Sequence, residues 1–150
     1  MKISWIAAAL LCLTGCAMLG IHLVEDSLTA ADHNDLGFSY EAQDRLELAE
    51  KQYQKAARKD KDWHTPCFNL GNVYYKMGQP EKAAAYYRLS LKRKPDHADS
   101  MNNLAFVRMQ QKRYHQARRW IDRAIAIEAK PEYLDTRQKI LQQGAKESKK

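Results

Sequence analysis

A shift of 34 residues lays three stretches of this chain over one another. It carries Leu36 onto Leu70 and Leu104, Ala49 onto Ala83 and Ala117, and Tyr53 onto Tyr87 and Ile121. One such period is too short to bury a core by itself, so consecutive periods must stack and share their apolar faces. In the middle period, Leu70, Val73, Tyr74 and Met77 form one helical stripe, and Ala83, Tyr87, Ser90 and Leu91 form another. The stretch MGQPEK separates them: Gly78 is suited to end the first helix and Pro80 to open the second. Pro66, with Thr65 as N-cap, opens the first helix in the same way. Each period is expected to be a helix hairpin, and the fold all-α.

Leu70, Gly71 and Tyr74, then Ala83 and Tyr87, then a closing Pro95 resemble the tetratricopeptide repeat. The resemblance implies an α-solenoid of three such hairpins over residues 30–63, 64–97 and 98–131. In that pattern Gly71 and Ala83 let the two helices approach, and Tyr74 and Tyr87 fill the space around them. Repeat one keeps Leu36, Gly37, Tyr40, Ala49, Tyr53 and Ala56 but lacks the proline. Repeat three carries Ala105 for glycine, Arg108 for tyrosine, and Pro131 two places late. The usual tryptophan position holds His33, Cys67 and Met101. The stretch PEYLDTRQKILQQ, from Pro131 to Gln143, predicts a capping helix over 132–143, with Tyr133, Ile140 and Leu141 covering the open side of the last repeat. Residues 144–150 read as a solvated basic tail.

The amino-terminal residues do not share the period. Lys2, an apolar run from Ile3 to Leu13, and then small residues have the layout of a secretory signal peptide over 1–15. Leu13-Thr14-Gly15-Cys16 resembles the bacterial lipobox, which implies cleavage before Cys16 and a diacylglycerol on its sulfur. The alternative is that the charge-free run from Ile3 to Val24 remains as a transmembrane helix in the inner membrane. Either way the repeats lie beyond the membrane from Lys2. Ala17, rather than aspartate, after the cysteine implies by the same resemblance the outer membrane of a Gram-negative envelope, facing the periplasm. Residues 16–29 form the tether, and the thirteen after Cys16 reach at most ~45 Å.

The formal charge is +7, but the basic residues are interspersed with Glu and Asp along helices. Nucleic acid is not an expected partner, because no basic and aromatic reader motif is present. With Cys12 in the leader and Cys16 acylated, Cys67 is left alone and cannot form an intrachain bridge. His64 and Cys67 are three apart, yet no second pair has ligand spacing, so Cys67 is read as core and no metal or cofactor is expected.

In the resembling family the first helix of each repeat lines a concave groove. Carried over, its positions hold Asn34, Asp35, Phe38 and Glu41, then Phe68, Asn69, Asn72 and Tyr75, then Asn102, Asn103, Phe106 and Met109. Carboxamides can donate to and accept from a peptide backbone, and aromatic rings anchor apolar side chains. The peptide-binding set is therefore Asn34, Phe38, Asn69, Asn72, Tyr75, Asn103 and Phe106. Asn69 and Asn103 are expected to form a ladder, as asparagines do in the repeats of O-linked N-acetylglucosamine transferases. The alternative is that they satisfy neighbouring backbone or water. The carboxylate clamp of chaperone-binding relatives needs cations where this chain has Asn34, Asp99 and Asn103, so that mode is disfavoured.

No Gly-x-Ser-x-Gly, His-Glu-x-x-His or glycine-rich phosphate loop is present, and no catalytic residue is assigned. An enzyme without a recognisable motif remains the reading from another class. The resemblance implies a membrane-anchored scaffold for a protein or peptide, of the kind that assists pilus, secretion or polysaccharide-export assembly. A second binding reading places anionic lipid or polysaccharide on a basic face formed by Arg88, Lys92, Arg93, Arg118, Arg119 and Arg123.

Overall fold

The computed structural model describes residues 26–149. They form seven helices: α1 Ala30–Ala42, α2 Leu46–Lys59, α3 Thr65–Lys76, α4 Pro80–Arg93, α5 Ala98–Gln110, α6 Tyr114–Ile127 and α7 Pro131–Glu147. Consecutive helices pack on one another, and α7 also rests on α5. This is an all-α solenoid of three hairpins with a seventh helix closing its end. The signal peptide, Cys16 and the transmembrane alternative lie outside the described residues. Among those described, no helix is long and apolar enough to cross a membrane.

The three hairpin turns repeat one backbone device. Asp44, Gly78 and Lys112, at equivalent positions, adopt φ of 56°, 70° and 59°. The following amides of Arg45, Gln79 and Arg113 then reach back to the carbonyls of Tyr40, Tyr74 and Arg108 at 2.9, 2.9 and 2.8 Å. These bonds satisfy carbonyls that a helix end leaves open, and the left-handed residue makes them possible. Only the middle turn uses glycine, which adopts this conformation without the steric cost borne by Asp44 and Lys112.

Within each hairpin, one close contact sets the spacing of the helices. Gly37 faces the ring of Tyr53 and Gly71 that of Tyr87; an added Cβ would approach those rings to 2.7 and 2.4 Å. The third repeat puts Ala105 and Ile121 at the same two positions, both fully buried. The larger alanine is matched by a residue smaller than tyrosine, so the third repeat is complementary in its own way. Burying a side chain such as Ile121 contributes about 1.5–3 kcal/mol, and the shared row from Tyr53 through Leu70, Leu104 and Ile121 joins the hairpins into one core.

Three expectations change. His64, not Thr65, is the N-cap of α3, and it makes no side-chain capping bond. The seventh helix runs to Glu147 instead of stopping at 143, so most of the expected tail is helical. Its Gly144 permits this by packing against Tyr114, where a Cβ would lie 3.3 Å from that residue's own Cβ. Leu141 is exposed, and Thr136 joins Tyr133 and Ile140 on the buried face. Tyr133 also donates a hydrogen bond to Asp99 of α5.

Candidate peptide groove

The first helices α1, α3 and α5 supply a polar and aromatic face. Asn69 Nδ2 donates to Asn34 Oδ1 at 3.0 Å, and Asn103 Nδ2 donates to Asn72 Oδ1 at 3.0 Å. The ladder therefore consists of two cross-repeat pairs, Asn34 with Asn69 and Asn72 with Asn103, and not of Asn69 with Asn103 directly. The partners are 35 residues apart in the first pair and 31 apart in the second. Each bond therefore joins positions that are not equivalent in the repeat: Asn69 lies one residue past the equivalent of Asn34, and Asn103 three residues before that of Asn72.

Between α3 and α5 lies a cavity of about 370 Å³ that brings together Asn72, Tyr75, Asn103 and Phe106, joined by Glu41, Lys76 and Tyr87. The rings of Tyr75 and Phe106 meet edge to face at 5.8 Å. Gln110 donates to the Tyr75 hydroxyl at 3.1 Å. Asn34, Asn69 and Phe38 are outside this cavity, toward the first repeat; Phe38 is 67 % exposed, the most open large apolar side chain described.

Two charged groups border the cavity. Glu41 Oε1 pairs with Lys76 Nζ at 2.8 Å, while Glu41 Oε2 accepts from the Tyr53 hydroxyl at 2.8 Å. Tyr87 crosses from α4 beneath Gly71 and donates to Asn72 Oδ1 at 2.8 Å. Burial, with the Glu41 contacts in support, pushes the Tyr53 phenol far above its ordinary value; burial does the same to Tyr87. Both hydroxyls therefore stay protonated as donors beneath the groove.

Not every carried-over position is available. Met109 is buried in the core. Phe68 packs between Tyr87 and His97, with ring centroids 6.0 and 5.1 Å away, and braces the repeat junction. Cys67 is fully buried, and His64 sits edge to face with the His97 ring at 4.5 Å. Asp99 is bound up by Tyr133 and Lys130. Burial alone would raise the Asp99 carboxyl, but the tyrosine hydroxyl and the ammonium together outweigh it and hold the group below the ordinary carboxylate value. Lys76 and Tyr87 were not among the expected groove residues. A signal for Tyr87 exists in the sequence, because Gly71, the residue before Asn72, leaves room for a ring to pass through.

Residues 68–133 match the profile of the tetratricopeptide repeat family. The fold is that of tetratricopeptide-repeat domains. Solved structures agree on the fold. The first tetratricopeptide domain of Spaghetti (RPAP3), bound to the HSP90 peptide SRMEEVD, superposes with a TM-score of 0.75 at 20 % identity, covering 84 % of this chain and 99 % of that one. The Sgt2 domain of Aspergillus fumigatus gives 0.76 at 17 % identity, covering 81 % and 82 %. The second domain of human RPAP3, with the HSP70 peptide SGPTIEEVD, gives 0.71 at 15 % identity, covering 75 % and 94 %. No curated protein matches the chain. The candidate groove here differs in its chemistry from an anion clamp, because it presents carboxamides, aromatic rings and one Glu41–Lys76 pair.

Proposed function

We propose that the chain is a membrane-anchored scaffold of a bacterial cell envelope, and that it holds an extended peptide or helix of a protein partner in the groove of α1, α3 and α5. The observation that carries this reading is the row of paired carboxamides beside the exposed rings of Phe38 and Tyr75 and the half-buried ring of Phe106. Nitrogen and oxygen atoms left over by the Asn34–Asn69 and Asn72–Asn103 pairs can bond a partner's backbone, and the rings can hold its side chains.

The peptides carried by the two RPAP3 domains end in acidic residues. Here the corresponding clamp positions are Asn34, Asp99 and Asn103, and the one cation lining the cavity, Lys76, is already paired with Glu41. A partner segment with apolar or hydroxyl side chains, neutral or basic overall, fits this surface better than an acidic terminus. Anchoring rests on the lipobox-like Leu13-Thr14-Gly15-Cys16, and an assembly role in the envelope rests on the resemblance alone.

A photoreactive residue at position 75, introduced into the full chain in its native envelope, tests the groove. A discrete crosslinked protein, lost when Asn103 is also changed to Ala, supports the reading; crosslinks only to lipid oppose it. Radiolabelled fatty acid tests the anchor, and undiminished labelling of a Cys16→Ser variant would rule out acylation there.

A further inference from the structure

The far side of α5 carries a second niche, built by one coordinated departure from the repeat. In repeat two, the Tyr74 hydroxyl donates to Glu50 Oε1 at 2.6 Å and accepts from Gln54 Nε2 at 3.3 Å. The Tyr74 ring stacks on Tyr86 at 5.1 Å, and Lys82 lies over it. One 34-residue shift turns Tyr74 into Arg108, Glu50 into Ala84, Gln54 into Arg88, Tyr86 into Trp120 and Lys82 into Gln116. The acid that would have balanced a cation here has become alanine, and a neighbouring amide has become a second arginine.

The result is a cavity of about 280 Å³ lined by Arg88, Arg108, Gln116, Arg119, Trp120 and Arg123. No carboxylate lines it. Among the described residues, none of the four arginines forms an ion pair. Arg108 is only 7 % exposed and donates to Gln111 Oε1 at 2.6 Å. Gln111 in turn reaches Glu81, so the nearest acid acts on Arg108 only across an amide. Burial, followed by the charges of Arg88 and Arg113, lowers the Arg108 pKa, which means the cation is held there at a cost. Arg123 stands over the Trp120 ring at 4.9 Å, which fixes one wall.

We infer that this niche is an anion site that takes a phosphate group, either free phosphate or the phosphomonoester headgroup of a lipid. Four guanidinium groups supply more charge than one carboxylate can neutralise. Their planar forks suit the several oxygens of a tetrahedral dianion, while Gln116 adds an amide donor. Arg93, expected on the same basic face, is excluded: it donates to the carbonyls of Ala57, Asp60 and Trp63 and ties the first repeat to the second.

The test uses the full chain in detergent, titrated with inorganic phosphate at constant ionic strength. In parallel, the chain is bound to phosphatidylcholine vesicles containing either phosphatidic acid or phosphatidylglycerol. Arg119→Gln with Arg123→Gln removes two exposed pocket charges; Lys51→Gln with Lys61→Gln removes the same charge elsewhere. Losing charge-assisted bonds should weaken binding at least ~10-fold in the pocket pair, with the lysine pair changing less than about twofold. Pocket-dependent phosphate binding identifies free phosphate as a ligand. Pocket-dependent binding to phosphatidic acid, above that to phosphatidylglycerol, identifies a lipid headgroup. Arg108→Tyr places at this position the residue that repeat two carries there, without its Glu50 partner, and should lose binding at least ~10-fold, with circular dichroism confirming the fold. Equal losses in the two charge-matched pairs, no saturable binding of either probe, or undiminished binding by Arg108→Tyr would overturn the site.

Discussion

Gly71 and Tyr87 share one space: a Cβ on Gly71 would lie 2.4 Å from Cε1 of the Tyr87 ring, whose hydroxyl continues to Asn72 in the groove. The contact joins helix spacing to groove shape, because the ring that separates α3 from α4 also presents a donor to Asn72 in the cavity between α3 and α5. Gly71→Ala should therefore cost about 1–3 kcal/mol through overpacking. Adding Tyr87→Ile copies the Ala105–Ile121 pair of the third repeat and should recover most of that loss. Urea denaturation of the two single variants and the double variant measures the coupling. Simple additivity would mean that the ring and the glycine do not share this space.

Removing partner-facing groups should weaken capture while leaving the fold intact. Asn103→Ala deletes a carboxamide worth about 0.5–1.5 kcal/mol to a bonded neutral group, a loss of roughly two- to thirteenfold in affinity. Tyr75→Ala should cost at least as much, since it removes an aromatic anchor beside the cavity. Calorimetry with the crosslinked partner, alongside circular dichroism, separates binding from unfolding. Retained affinity in both variants would move the binding face away from this groove.

The turn residues allow a purely backbone prediction. Gly78 has φ +70° and open space around it, so Gly78→Ala adds no clash yet should cost about 1 kcal/mol from the left-handed conformation alone. Lys112→Gly is the reverse experiment at φ 59°, and should stabilise by about 0.5–1 kcal/mol. Paired thermal melts should shift in opposite directions.

Acid should loosen the junction between repeats. His64 and His97 lie 4.5 Å apart, and both are held below the ordinary histidine value. Burial is the first cause for each; Lys94 adds to it for His64, and the His64 ring adds to it for His97, while Asp96 and, for His97, Asp99 offset part. His97 also bonds Ser100, which donates to the buried Ser90. Below the ordinary histidine value of 6.5 the unfolded chain takes up protons that the folded chain refuses. This contribution to stability is complete above 6.5 and is lost as pH falls through the depressed folded values. The melting temperature should drop between about pH 7 and 5, and drop less in His64→Gln. Parallel slopes for the two proteins would remove the junction as the source.

Periodicity alone made the hairpins legible, because Leu70, Ala83, Tyr87 and their counterparts report a geometry that every repeat must satisfy. The same reading missed the end of α7, since Gly144 looks like a helix terminator unless its contact with Tyr114 is known. It placed Phe68 and Met109 in the groove because a position carried from a family says which way a side chain starts, not which neighbour it meets. The carboxamide pairing was misjudged for a related reason: identical positions in successive repeats are one repeat apart, and contact is made by the residues offset between them. Arg108 looked like wear on the pattern. Only the simultaneous change of Glu50 to Ala84 and Gln54 to Arg88, seen across the packed helices, gives it a setting.

Asp26 fastens the chain where it enters the solenoid. Its carboxylate lies 2.7 Å from Lys55 Nζ and 3.0 Å from His33 Nε2, and its carbonyl accepts from Lys59 Nζ at 2.7 Å. Thr29 and Asp32 then lock the first turn of α1 through reciprocal capping bonds. Tension arriving at Asp26 from the amino-terminal side would thus be shared between His33 near the start of α1 and Lys55 and Lys59 at the end of α2. The opening hairpin is gripped across both of its helices, so a pull applied at Asp26 must shear the pair before it can peel α1 away.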